Sequence, residues 1–391
     1  MSGERAEGGI TRRDFLRRAA GAALAAGIGV PALVRADAAK ERAGGMKYRT
    51  LGRTKLKVSE LGMGCIKIDN PAVVHRALDL GITYFDTAEG YQGGNSEIKL
   101  GKALKGRRDE AIVATKWEPW RRQTVAEFVK ACDDSLKRLG MDHIDLIQIH
   151  GAGNAEQVNN DVLCEAFDQL KAAGKVRFNG VSVHENQAEV IDAVIKNGRY
   201  DEVLCVYNAL NGEGMRPVIK RAHDAGLGIV IMKALAPAHE GRAGDVFRDV
   251  PGSPYQQSIR WVLQDPNVST VIVDMPTFDE LEEDAQAALS PGHRAELEAF
   301  ERAVGKMAMG TCHLCGECTG QCPRGVRVAE VMRYLLYHDG YGDRARAAGL
   351  YREMDPRARA AACGECDGCR VACPWGVPVR AKMERAHAVL A

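Results

Sequence analysis

Between Met46 and Leu289 the chain alternates between two hydrophobic periods, and this constrains the fold more than anything else in the sequence. Short, continuously apolar runs recur, each followed by a stretch with amphipathic helical spacing. The runs are Leu56–Gly64, Ile82–Thr87, Ala111–Lys116, Ile144–His150, Lys175–Val183, Glu202–Tyr207, Gly228–Lys233 and Val268–Val273. Between them lie segments such as Thr124–Gly140, which has a Thr to cap a helix and a Gly to stop it. Runs that are apolar at every residue, rather than every second one, suit a sheet covered on both faces. Eight such units predict an α/β fold, a closed (β/α)8 barrel. A doubly wound sheet is the competitor, but it usually carries G-x-G-x-x-G after its first strand, and no such run occurs here.

Chemistry in such a barrel gathers where the strands end. The strand-end residues here are Asp86, Lys116 and His150, and Tyr91 follows Asp86 in the Gly-rich stretch "AEGYQGGNSE". An Asp and a Lys pair readily across adjacent strand ends, and a Tyr beside that Lys has its phenol pKa lowered. Such a Tyr donates a proton to a carbonyl oxygen as hydride reaches the carbon, while a His orients the oxygen.

These residues stand in motifs that resemble the aldo-keto reductases. The motifs are "KYRTLGRTKLKVSELGMG" from Lys47, "YFDTAEGY" from Tyr84, "ATKW" from Ala114 and "DLIQIHG" from Asp145. The resemblance covers about Met46 to Asp284. It implies a catalytic tetrad of Asp86, Tyr91, Lys116 and His150, acting on a small-molecule carbonyl or alcohol substrate. It also implies a nicotinamide cofactor, NADP(H) or NAD(H), with Tyr207 stacked on the ring and Ser182 touching its carboxamide. Two family positions differ: Val183 stands where Asn is usual and Leu204 where Gln is usual, with His184 as a substitute contact. Asp274 and the acidic run after it replace the basic residue usual near the cofactor phosphates, which leaves the choice between the two nicotinamides open.

Twelve cysteines are present, and eight of them fall in two copies of C-x-x-C-x-x-C-x-x-x-C-P. This is the bacterial ferredoxin run, in which the fourth Cys serves the other cluster. It predicts two [4Fe–4S] clusters with crossed ligation. One would use Cys312, Cys315, Cys318 and Cys373, the other Cys363, Cys366, Cys369 and Cys322. Zinc held by C-x-x-C pairs would leave half the thiols idle. The helical stretch Val328–Ala362 between the motifs is too long for a compact β-hairpin ferredoxin, and it resembles the α-helical ferredoxin module of fumarate reductase or heterodisulfide reductase subunits. The remaining Cys65, Cys132, Cys164 and Cys205 read as small buried hydrophobes.

The start of the chain reads as an address. Thr11-Arg12-Arg13-Asp14-Phe15-Leu16, an Ala/Gly-rich run to Val34 and the small residues at Ala36-Asp37-Ala38 resemble a twin-arginine signal. The run is too short and too poor in Leu and Ile to span a roughly 30 Å hydrocarbon core, so no stable membrane span is expected. The expected organisation is a signal over residues 1–38, a barrel over 46–290 and a bis-cluster unit over 300–391. The export machinery would deliver the folded, cluster-loaded protein to the periplasm. A net charge of +1 gives no footprint for nucleic acid. Two functions remain: an exported oxidoreductase, or an electron-transfer scaffold with a silent barrel. Nicotinamide passes two electrons together and each cluster takes one, so the clusters are expected to be structural or wired to a redox partner protein.

Overall fold

The computed structural model describes residues 45–391 apart from Arg242 and Pro291; the segment resembling an export signal lies outside the described residues. Strands β1 (Tyr48–Thr50) and β2 (Lys57–Ser59) form an antiparallel hairpin. The strands that follow are β3 (Leu61–Gly64), β4 (Tyr84–Asp86), β5 (Ile112–Trp117), β6 (Ile144–Ala152), β7 (Val176–Val183), β8 (Glu202–Val206), β9 (Gly228–Met232) and β10 (Thr270–Asp274). They pair in parallel in chain order, and β10 returns to β3 to close the barrel. The first apolar run, Leu56–Gly64, is therefore two strands and not one. Its front half belongs to the hairpin, which seals the end where the barrel strands begin. Leu51 fills that end so closely that a Cβ on Gly228 would lie 2.6 Å from its side chain.

Local signals explain the helices. Val125–Leu139 starts with a reciprocal capping box between Thr124 and Glu127 and stops at Gly140, whose φ of 64° suits a residue without Cβ. Inside the barrel, Tyr84, Ala114, Leu146, Leu204, Val230 and Ile272 form one apolar cluster. The residues that alternate with them along the strands pack under the helices.

The C-terminal part is helical, with Val328–Leu335, Arg344–Glu353 and Val379–Leu390 around a core of its own that includes Val331, Tyr351 and Met383. The first of these helices widens into a π-turn over Leu336–Gly340, a distortion often found at functional sites. This part covers the barrel mouth. Leu314 and Leu336 join the barrel's inner cluster beside Leu204 and Met232. Fully burying a leucine contributes about 1.5–3 kcal/mol, so these two side chains anchor the cover. A Cβ on Gly316, whose φ is +83°, would come 2.9 Å from the Asn186 amide nitrogen, just after β7. One on Gly340 would come 2.7 Å from the His239 carbonyl oxygen, beyond β9. Arg327 adds an ion pair to Glu185 at 2.9 Å. Among the described residues no helix is long and apolar enough to cross a membrane.

Candidate active site

Register explains how the first two site residues meet. Asp86 pairs with Ala114 across β4 and β5, and Lys116 lies two residues further along on the same face. The Lys116 Nζ donates to the Asp86 carboxylate and, at 2.7 Å, to the Thr87 carbonyl oxygen. Both side chains are buried. Burial pushes Asp86 up more than Lys116 draws it down, and burial works to lower Lys116 while Asp86 and Tyr91 hold it above its usual range. Tyr91 enters from the loop after β4. Its ring centroid lies 5.1 Å from the Lys116 Nζ and 5.6 Å from the His150 ring, edge to face.

Tyr91 does not carry the lowered pKa expected from the sequence. Burial raises its phenol more than Lys116 and Arg346 lower it, so it stays a protonated donor. His150 is kept neutral, well below its ordinary range, by burial and then by the nearby Lys116 and Arg346 charges. Its Nδ1 is buried without a partner among the described residues.

All four residues line one cavity of about 1470 Å³ between the strand ends and the C-terminal cover. That exceeds the roughly 300–1,000 Å³ of ordinary ligand pockets, which leaves room for an extended dinucleotide and a small substrate together. Ser182 also lines it, accepting a hydrogen bond from the Gly151 amide at 2.9 Å and keeping its hydroxyl proton to donate. Tyr207 is not among the lining residues. Its ring turns into the layer between strands and helices, 5.0 Å from Trp261, and its hydroxyl donates to Asp265 at 3.2 Å. The expected stacking position is therefore not presented to the cavity, because Asp265, Arg216 and Trp261 hold the phenol elsewhere. Asp274 does line it; burial pushes its carboxyl up to about 7, and it accepts from the Lys67 amide at 3.2 Å.

The cavity's other wall holds residues that the barrel motifs do not reveal. Lys233, at the end of β9, donates to His184 Nδ1 at 3.0 Å, and His184 is neutral through burial and the Lys233 charge. From the cover come Arg333, Tyr337 and Arg346. The stretch "RYLLYHDGYGDRAR" does hold a legible signal: Arg and Tyr recur at helical spacing, against the apolar stripe of Val331, Leu335 and Leu336.

The cysteines of the two repeats fall into two spatial sets. A small cavity is lined by Cys312, Cys315, Cys318 and Cys373, with His184 and Arg333 in the wall it shares with the large cavity. Burial first, then the thiols of Cys322, Cys366 and Cys369, raises Cys363 to about 11. None of the eight is joined in a disulfide. Among the described residues no group of three or more His, Cys, Asp or Glu side chains is arranged to hold a metal ion. In donor chemistry each set still fits an iron–sulfur cluster, with four thiols, three from one repeat and one from the other. Cys65, Cys132, Cys164 and Cys205 are buried in the barrel.

Residues 67–242 match the profile of the Aldo/keto reductase family. The barrel resembles the aldo/keto reductases. An aldo-keto reductase of Bacillus halodurans in its holo form matches with a TM-score of 0.57 and 28% identity, over 66% of this chain and 96% of that one. The uncharacterized oxidoreductase YqkF of Bacillus subtilis is 29% identical over 62% of this chain and 91% of its own length. The L-galactose dehydrogenase of Arabidopsis thaliana is 29% identical over 62% and 88%. Within the barrel the matched region contains Asp86, Tyr91, Lys116, His150, Ser182 and Lys233. The helical cover lies beyond it.

Proposed function

We propose that the chain is an exported iron–sulfur oxidoreductase that interconverts a small carbonyl compound and its alcohol with a nicotinamide cofactor. The observation that carries this reading is the convergence of the Asp86–Lys116 pair, Tyr91 and neutral His150 in one cavity at the strand ends. A reduced nicotinamide, when bound, supplies the hydride. This chain's residues handle the oxygen and the proton. Neutral His150 offers a hydrogen bond that orients the carbonyl oxygen. Tyr91 passes its hydroxyl proton to that oxygen as the carbon is reduced, and the tyrosinate left behind is stabilised by Lys116 until solvent reprotonates it. Asp86 holds Lys116 charged and in place. Ser182 and His184 are the residues available to the carboxamide end of the cofactor.

The two cysteine sets would hold two [4Fe–4S] clusters, which exchange single electrons with a redox partner protein or serve the cover's structure. The twin-arginine-like segment supports delivery to the periplasm, with cofactors loaded beforehand in the cytoplasm. One observation favours the second reading, a silent barrel that serves electron transfer: Tyr207 is turned away from the cavity.

The test is anaerobic purification followed by metal analysis and a panel of aldehydes and ketones with NADH and NADPH. Iron, labile sulfide and cofactor-dependent carbonyl reduction are expected. Iron and sulfide with no carbonyl reduced would favour the silent barrel, and zinc in place of iron would refute the cluster assignment.

A further inference from the structure

Arg346 comes from the cover and lies between two aromatic rings. Its guanidinium carbon is 5.4 Å from the Tyr91 centroid and 4.9 Å from that of Tyr337. Among the described residues it stands in no ion pair at contact distance, although its charge reaches Asp274. Lys233 approaches the same ring, with Nζ 5.7 Å from the Tyr337 centroid, and it hydrogen-bonds to neutral His184 and to the Tyr337 hydroxyl. Arg333 has a carboxylate, Glu330 at 3.1 Å, but shares it with Arg327 at 2.9 Å. Other acids on the cavity wall are engaged elsewhere: Asp86 with Lys116, Asp339 with Arg385, and Asp343 with Lys67. Three cations thus converge on one side of the catalytic cavity; among the described residues Glu330, shared with Arg327, is the one carboxylate in ion-pair contact with any of them, while Glu185 and Asp274 act on Arg333 and Arg346 only from further away. Cations removed from water are costly unless an anion joins them.

We propose that Arg346, with Lys233 and Arg333, forms a clamp for the carboxylate of an acidic carbonyl substrate of the 2-oxo acid class. The clamp rests on the carbonyl chemistry proposed above and narrows its substrate. Arginine's planar fork matches a carboxylate with two parallel hydrogen bonds, which a lysine cannot reproduce. Arg346 lies over the ring of the proposed proton donor itself, so a carboxylate seated on it leaves an adjacent carbonyl within reach of Tyr91 and His150. Tyr337 records the same excess of charge. Burial alone would raise its phenol, but Lys233, Arg333 and Arg346 overcome that and bring it to about 7. The cluster draws a proton from a tyrosine where no stronger anion is at hand.

A cofactor phosphate is the other anion that could sit here, and binding measurements separate the two. The full chain, purified anaerobically, is titrated calorimetrically with phenylglyoxylate and with its uncharged methyl ester, without nicotinamide. The acid is expected to bind at least about tenfold more tightly, as a charge-assisted bidentate contact implies. Arg346→Met should bring acid and ester to within about twofold of each other, and Arg346→Lys should restore part of the preference. Binding of NADPH should be unchanged in both variants, and thermal melting checks that they fold. Equal affinity for acid and ester in the unaltered protein, or no detectable binding of the acid, overturns the clamp. So does an Arg346→Met variant that weakens NADPH instead, which would assign the site to a phosphate. Because no turnover is needed, a failure to reduce either compound would count against the proposed reaction and not against the clamp.

Discussion

Lys116 and Tyr91 meet across the barrel mouth, the ammonium of one 5.1 Å from the ring centre of the other, with Asp86 directly behind the lysine. The pair behind the ring is buried on both sides, so its two charges depend on each other. Lys116→Met leaves Asp86 charged and unpaired, and unfolding free energy should fall by about 3–5 kcal/mol. Adding Asp86→Asn should recover much of that loss in denaturant titration without restoring any activity. A double variant no more stable than the single one would mean that the two charges are not coupled in this way.

The cysteine sets make a prediction about pairs of substitutions. Two cubanes hold about eight irons. Cys315→Ser with Cys373→Ser strikes one set twice and should leave about four irons. Cys315→Ser with Cys366→Ser strikes both sets and should leave almost none. If the first pair also empties the protein, the crossed grouping is wrong.

Tyr337 gives the folded protein a pH dependence whose sign is fixed. Its phenol sits at about 7, held down by Lys233, Arg333 and Arg346 against the effect of burial, whereas an unfolded tyrosine titrates near 10. Between these values the unfolded chain binds the extra proton, so stability rises with pH and is lost as pH falls through about 7. Lys233, pushed down to about 8 chiefly by burial, acts in the same direction. The melting temperature of the unaltered protein, minus that of Tyr337→Phe, should therefore rise from pH 6 to pH 9. A tyrosinate absorbance step near neutrality should vanish in the variant. A flat difference would remove the charge cluster from the account.

Export is read by a receptor, so Arg12→Lys with Arg13→Lys should leave the precursor in the cytoplasm. Cell fractionation and immunoblotting follow it. Undiminished periplasmic recovery of that variant would show that the arginines are not the address.

Much of the barrel was legible because its strands are apolar at every residue and each is followed by a helical period, a pattern that sterics and burial leave little room to reinterpret. Leu56–Gly64 misled as a single strand, since a bend at the one residue Glu60 is too short to interrupt an apolar run visibly. Tyr207 shows another limit. Its place at a strand end was readable, but the direction of its ring depends on Asp265, Arg216 and Trp261, which lie later in the chain. The raised pKa of Tyr91 has the same origin, because a lysine beside a phenol can be read from motifs while the burial that outweighs it depends on the whole fold. The cover's helices and cysteine motifs were legible, but its seat over the mouth was not. Its cysteine spacing raises the expectation of iron–sulfur clusters, but nothing in that spacing says that Leu314 and Leu336 enter the barrel's core or that Arg346 reaches Tyr91.

Steady-state kinetics of Tyr91→Phe test most directly the proposed role of Tyr91 as proton donor. With a carbonyl substrate from the panel, kcat/KM should fall by roughly 10²–10⁴-fold, the range for loss of a general acid. NADPH binding, followed by cofactor fluorescence, should stay within about twofold, because the hydroxyl faces the reacting carbonyl. A variant that reduces the same substrate at the unaltered rate would contradict the account.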